Sequence, residues 1–365
     1  MSEKDVFGND QVFNKLARPI RSEDDIGEVR DAEFYVRKDG LIVNAEGWYH
    51  PPHMLVGEVL YAPDETGDKT IFGQPYRKVS LYPGTYTPVP YADRGKELTK
   101  YDPSLDQLSN NPYFAKYKQI FPRSDFIAHL PSRDTLHKVL TELALPGDDI
   151  LYDLENLQKL LGLDLSELSL GLTGAPLLGN YRGYHDLDLV FQGTVSQNLD
   201  IAKRMRELVK YEPHRRLVEG GKGWNIRFFN DRQKLMCNFF GYMSPSEAPL
   251  INFEMDVMQD NMQFEGTVDD DAHSMYTPTI LGLNDIIVTE IEGTKMTERY
   301  NDLPLIVYHT ATRGECFKGD RVRARGALVQ VKTPNDSYEA ICAVEREAVR
   351  NLTPTWEGFY EDGSA

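Results

Sequence analysis

Asp186 and Asp188, separated by one leucine, are the residues of this chain best suited to chemistry. Residues two apart in a strand project from the same face. Alternation therefore predicts two carboxylates side by side at a strand start, with Leu187, Leu189 and Phe191 turned into a core. Adjacent carboxylates are costly unless a cation neutralises them, and hard ions such as Mg²⁺ or Mn²⁺ select oxygen ligands. Upstream, a Gly174-Ala175 turn leads from a strand at residues 168–172 into a short helix. Such a turn offers backbone N–H groups to a phosphate. A phosphate cradle paired with a metal-binding carboxylate pair suggests nucleotide chemistry.

The surrounding patterns indicate the elements that must position these groups. Residues 1–30 are charged and weakly patterned, a flexible arm or an element docked late. EFYVRKDGLIVNAEGW places a Lys38-Asp39-Gly40 turn between apolar runs, a hairpin signal. The next stretch, to about residue 82, repeats that pattern with a turn near Asp64 to Asp68. Residues 83–128 are proline-rich and read as a linker with short helices. Ser132 caps an expected helix with Leu136, Val139, Leu140 and Leu143 on one face. A second helix carries Ile150, Leu154, Leu157 and Leu161 and stops at Gly162. After the aspartates, a helix with Leu199, Ala202, Met205 and Val209 inward ends before Pro213, and strands follow. GDRVRARGALVQV (319–331) has the texture of a small barrel, with Gly326 at a bend or bulge. The expected fold class is α+β. An arm (1–30), a β-rich region with its linker (31–128), a small mixed-sheet core (129–278), a β-barrel-like domain (279–352) and a tail (353–365) make up the chain.

The core motif resembles the nucleotidyltransferase superfamily typified by DNA polymerase beta. Its signature is a Gly-Ser or Gly-Gly turn at a strand end, followed by Asp-x-Asp on the next strand. The chain is most similar to predicted nucleotidyltransferases common in archaea, through TGAPLLG (173–179) and DLDLVFQG (186–193). The similarity extends to WNIRFFND (224–231), VDDDAHSMYTP (268–278), GDRVRARGALVQV and the N-terminal DGLIVNAEGWYHP (39–51). The resemblance implies transfer of NMP from an NTP to an acceptor, with release of pyrophosphate and Asp186 and Asp188 as metal ligands. It also implies a third carboxylate on a later strand. In LINFEMDVM, alternation puts Glu254 and Asp256 together on one face, so Asp256, then Glu254, are the candidates for general base or further metal ligand. Asp231 and the Asp269-Asp270-Asp271 cluster are weaker ones. The family's serine is Ala175 here, one hydroxyl donor fewer, and Thr173 is the candidate substitute. Gly174 and Ala175 would cradle the phosphates, with Arg182, His185, Arg204 and Lys222 as cationic partners. Trp224 and Tyr184 could stack on a base, although a core role is the default for both.

Composition limits the alternatives. No apolar run is long enough for a membrane helix, and MSEKDVFGNDQ lacks a signal peptide's apolar stretch. The three cysteines have no metal-ligand spacing, which points to a reducing cytoplasm. A net charge of −17 disfavours non-specific grip on nucleic acid, so a small-molecule or protein acceptor is preferred. Arg321, Arg323 and Arg325 alternate on one strand face and could track phosphates, but a solvated face paired with local acids is the simpler reading. His50-Pro51-Pro52-His53 reads as a surface turn rather than a metal site. The alternative function is a catalytically degenerate protein that binds nucleotide or nucleic acid.

Overall fold

The computed structural model describes residues 7, 10–81, 89, 91–106, 111–165, 168–182, 184–345 and 348–361. The molecule is a strand-rich α+β protein with few helices among these residues. The chain divides into two compact units: Met1–Tyr152 with Leu170–Val190, and Asp153–Ser169 with Phe191–Ala365.

The first unit is built on an eight-stranded sheet of β1 (Arg18–Pro19), β2 (Phe34–Arg37), β3 (Ile42–Ala45), β4 (Met54–Pro63), β5 (Lys69–Ile71), β6 (Gln74–Lys78), β7 (Gln119–Pro122) and β8 (Phe126–Leu130). The order is β1-β8-β2-β3-β4-β6-β5, with β7 also paired to β4. The Lys38-Asp39-Gly40 turn makes the expected hairpin of β2 and β3, with Gly40 at φ +87°. Tyr35, Val43, Leu55, Val59, Phe121 and Phe126 meet in the core of this unit. Beyond Asp10 the N-terminal arm is docked: helix Gln11–Leu16 buries Phe13 and Leu16, and Arg18–Pro19 pairs with β8. The proline-rich linker holds β7 and β8, and β8 lies between β1 and β2. All five residues of β8 are buried, so the alternation that marks a half-buried strand is missing.

β9 (Ser169–Leu172), β10 (Asp186–Gly193), β11 (Arg216–Glu219), β12 (Lys222–Phe229) and β13 (Leu235–Tyr242) form a five-stranded sheet in the order β11-β12-β13-β10-β9. Helix Val195–Tyr211 follows β10. Thr194 and Gln197 cap it reciprocally, and it buries Ile201, Ala202, Met205 and Val209.

The remaining strands are β14 (Glu254–His273), β15 (Thr279–Ile291), β16 (Thr294–Val307), β17 (Arg321–Lys332), β18 (Ser337–Ala343) and β19 (Val349–Asn351). Their order is β14-β15-β16-β18-β17-β19, with β14 also paired to β17. Those pairings run round a closed path in which β16 and β18 are parallel. The barrel sheet therefore begins at Glu254, earlier than the expected boundary at 279. Met262, Phe264 and Val268 of β14 point inward with Leu281, Leu283, Ile286 and Val288 of β15. Inward alternation along β15 resets at Asp285, whose φ is +49°, the signature of a bulge. Gly326 lets β17 approach β18, because a Cβ there would overlap the Cys342 carbonyl.

Candidate functional site

The turn between β9 and β10 brings together what the sequence pattern suggested. Asp186 and Asp188 are partly buried on one face of β10, while Leu187 and Leu189 are fully buried on the other. Thr173 N–H donates to the Asp188 carbonyl at 3.0 Å, tying the end of β9 to β10. Gly174 follows at φ +62°, and a Cβ at that position would overlap the Asp188 carboxylate. Glycine is thus required twice, for its left-handed backbone and for the space taken by the aspartate. Gly171 is similar: a Cβ there would overlap the Ser132 side chain and backbone. Helix Gly174–Leu177 has only four residues, so its dipole is small. As its first residues, Gly174 and Ala175 have no intrahelical acceptor for their N–H groups.

Several expected site residues are engaged elsewhere. The Thr173 hydroxyl donates to the Ala32 carbonyl at 2.6 Å and the residue is buried. Arg182 is exposed and is held by Asp148 (3.0 Å) and the Leu143 carbonyl (2.8 Å). His185 is exposed beside Asp186. Arg204 pairs with Asp200 and donates to the Leu161 and Gly162 carbonyls, closing the end of helix Asp149–Leu161. Lys222 donates to the Ala311 carbonyl and pairs with Glu315, both within the second unit. Trp224 and Tyr184 are buried.

Glu254 and Asp256, the third-carboxylate candidates, open β14 in the barrel sheet. There Asp256 is exposed and pairs with Lys332 at 2.6 Å. The period-two pattern of LINFEMDVM identified a strand, but strand adjacency is set by long-range packing that the period does not encode. Asp231 pairs with Arg215 and Asn156, and Asp271 pairs with Lys203 at 2.9 Å. The arginine row of β17 is also paired: Arg321 and Arg323 with Glu265, and Arg325 with Glu290 at 3.5 Å.

One residue at the carboxylates was not singled out from sequence. Tyr61 of β4 is buried, and its phenol is raised well above the ordinary value, first by burial and then by the negative charges of Asp188 and Asp186. It belongs to no local motif, so no spacing could have revealed it. The histidines of the 50–53 turn have structural contacts. His50 Nδ1 accepts from Val56 N–H at 2.9 Å, and burial holds its ring down at about 3, while His53 pairs with Glu23 at 3.0 Å.

Comparison with protein-family models, with curated proteins and with solved structures returns no match.

Proposed function

We propose that this protein is a divalent-metal-dependent nucleotidyltransferase that moves NMP from an NTP to a small-molecule or protein acceptor and releases pyrophosphate. The observation that carries this reading is the Gly174 backbone packed against the Asp188 carboxylate, with Asp186 on the same strand face. The two aspartates suit a hard cation such as Mg²⁺ or Mn²⁺. When bound, the metal would supply charge neutralisation for a triphosphate and activation of the acceptor hydroxyl. The chain's own contribution would be the N–H groups of Gly174 and Ala175, which lack intrahelical acceptors and could donate to phosphate oxygens. The test is pyrophosphate release from each NTP with Mg²⁺, Mn²⁺ or Zn²⁺, in the presence of a metabolite extract, total RNA or the protein itself. Metal-dependent release that disappears in Asp186→Asn and Asp188→Asn supports the reading; release that survives the double variant overturns it.

Ala175, in place of the family's serine, favours a second reading, a degenerate core that binds nucleotide without transfer. Calorimetry showing metal-dependent NTP binding with no pyrophosphate formed would select it.

A further inference from the structure

The second unit contains a cavity of about 510 Å³ whose lining includes Lys222, Arg323, Arg325 and Arg350 against Glu219 and Glu345. Its size is in the range of pockets for nucleotide-sized molecules, roughly 300–1,000 Å³. Arg323 and Arg350 are direct cross-strand partners on β17 and β19. Like charges at such positions destabilise a sheet, and Glu265 compensates Arg323 but not Arg350. The acids that hold Lys222, Arg323 and Arg325 are Glu315, Glu265 and Glu290. None of those three is among the described lining residues. Arg350 makes no ion pair among the described residues, and its guanidinium lies 4.5 Å from the centre of the Tyr360 ring.

Trp224 adds a second, independent indication. The residue is 6 % exposed and lines the cavity, and its buried Nε1–H has no acceptor among the described residues. An unsatisfied buried donor is costly, and an acceptor on a ligand would relieve it. Lys222 lies 4.7 Å and Arg227 4.2 Å from the centre of the Trp224 ring, so positive charge surrounds a buried indole.

We infer that this cavity binds an organic phosphate of nucleotide size, with Arg323 and Arg350 as a guanidinium pair on the phosphoryl group and Trp224 Nε1 donating to a ligand oxygen or ring nitrogen. Guanidinium groups match phosphate oxygens two at a time. The inference does not depend on Asp186 or Asp188, and no divalent metal is required.

The test is calorimetry in EDTA on the Asp186→Asn/Asp188→Asn double variant, which cannot use the metal-binding carboxylates. The probes are ATP, AMP, unphosphorylated adenosine and inorganic phosphate. The expected result is one binding event for ATP or AMP, tighter than for inorganic phosphate and absent for adenosine. Arg350→Gln should weaken it about ten-fold or more, with Arg350→Lys between the two. Circular dichroism and thermal unfolding show that each variant is folded. Should Arg350→Gln destabilise the protein, Trp224→Phe provides a second variant, because it removes the donor and keeps the ring. No binding of any probe, equal binding of adenosine and AMP, or affinity unchanged in both Arg350→Gln and Trp224→Phe would overturn the inference. Binding of inorganic phosphate as tight as that of AMP would overturn the assignment to an organic ligand.

Discussion

The turn at Gly174 and the cavity beside β17 and β19 are opposites in charge and in construction. The first concentrates two carboxylates against a glycine within a single stretch of sixteen residues, Thr173 to Asp188. The second gathers cations from β12, β17 and β19, with Tyr360 from the C-terminal segment. An acidic site of local origin suits a cation, and a basic site of non-local origin suits an anion. The contrast shows why net charge is a poor guide to ligands: the chain carries −17, yet the charged residues lining one of its cavities are four cations and two acids.

The largest expected effect separates the two regions outright. Asp188→Asn, and to a similar extent Asp186→Asn, should lower metal-dependent pyrophosphate release by about 10³-fold or more, because a lost metal ligand forfeits several kcal/mol of transition-state stabilisation. The affinity of AMP in EDTA should be unchanged in the same variants. If both quantities fall together, the regions are not independent and the comparison fails.

Next in size is Gly174→Ala. A side chain there meets both a positive φ and the Asp188 carboxylate, so urea unfolding should show a loss of about 1–3 kcal/mol. Gly326→Ala provides the counterpart in the barrel, where a Cβ would overlap the Cys342 carbonyl, and a loss of similar size is expected. A Gly174→Ala protein as stable as wild type would mean that the turn is not packed against the aspartate.

A smaller and more specific signal comes from Tyr61. Its folded pKa is raised, so the folded state keeps a proton that the unfolded state gives up. The contribution to stability is therefore intact below about pH 10 and declines as pH rises beyond that value. Phenolate absorbance should show one tyrosine titrating late. In Asp186→Asn/Asp188→Asn that tyrosine should titrate earlier, because two of the charges opposing ionisation are gone. Tyr61→Phe should remove its share of the alkaline loss of stability. A late titration unaltered by the aspartate substitutions would separate Tyr61 from the carboxylates.

The smallest effect is expected at Glu265, which pairs with Arg321 and Arg323 near the surface. Hydrogen bonding from Arg323, then the charges of both arginines, lowers its pKa against the opposing effect of burial. A lowered carboxylate pKa adds stability above the unfolded value, near 4.5, and that increment is lost as pH falls through the folded value. For a solvent-screened pair the increment at neutral pH is at most about 1 kcal/mol. Glu265→Gln should cost that much at pH 7 and nothing well below pH 4. By freeing Arg323 it should also tighten AMP binding in the basic cavity. Weaker binding would show that the pairing orients the arginine instead of competing for it.

Much of the carboxylate region was legible because its determinants are local. Alternation located β10 with Asp186 as its first residue, and the glycine turn located the short helix before it. The helix stopping at Gly162 and the helix ending before Pro213 were read from their apolar period in the same way, although the Thr194 cap that starts the second was not. The arginine row of β17 was recognised as one face of a strand, with acids as its partners. Glu254 and Asp256 mark the limit of this approach. Their alternation was real, but it shows only that they share a strand, not which strand lies alongside.

The sequence by itself determined local conformation and the side of each strand on which a residue falls, since both follow from backbone sterics and a period of two or 3.6 residues. It thereby determined that Asp186 and Asp188 stand together and that Gly174 precedes them in a turn. Only the tertiary structure decided that Tyr61 is near those aspartates, that the Thr173 hydroxyl is taken by Ala32, and that Arg323 faces Arg350. These relations join residues far apart in sequence. They are fixed by which apolar surfaces bury one another, a cooperative property of the whole chain that no single segment carries.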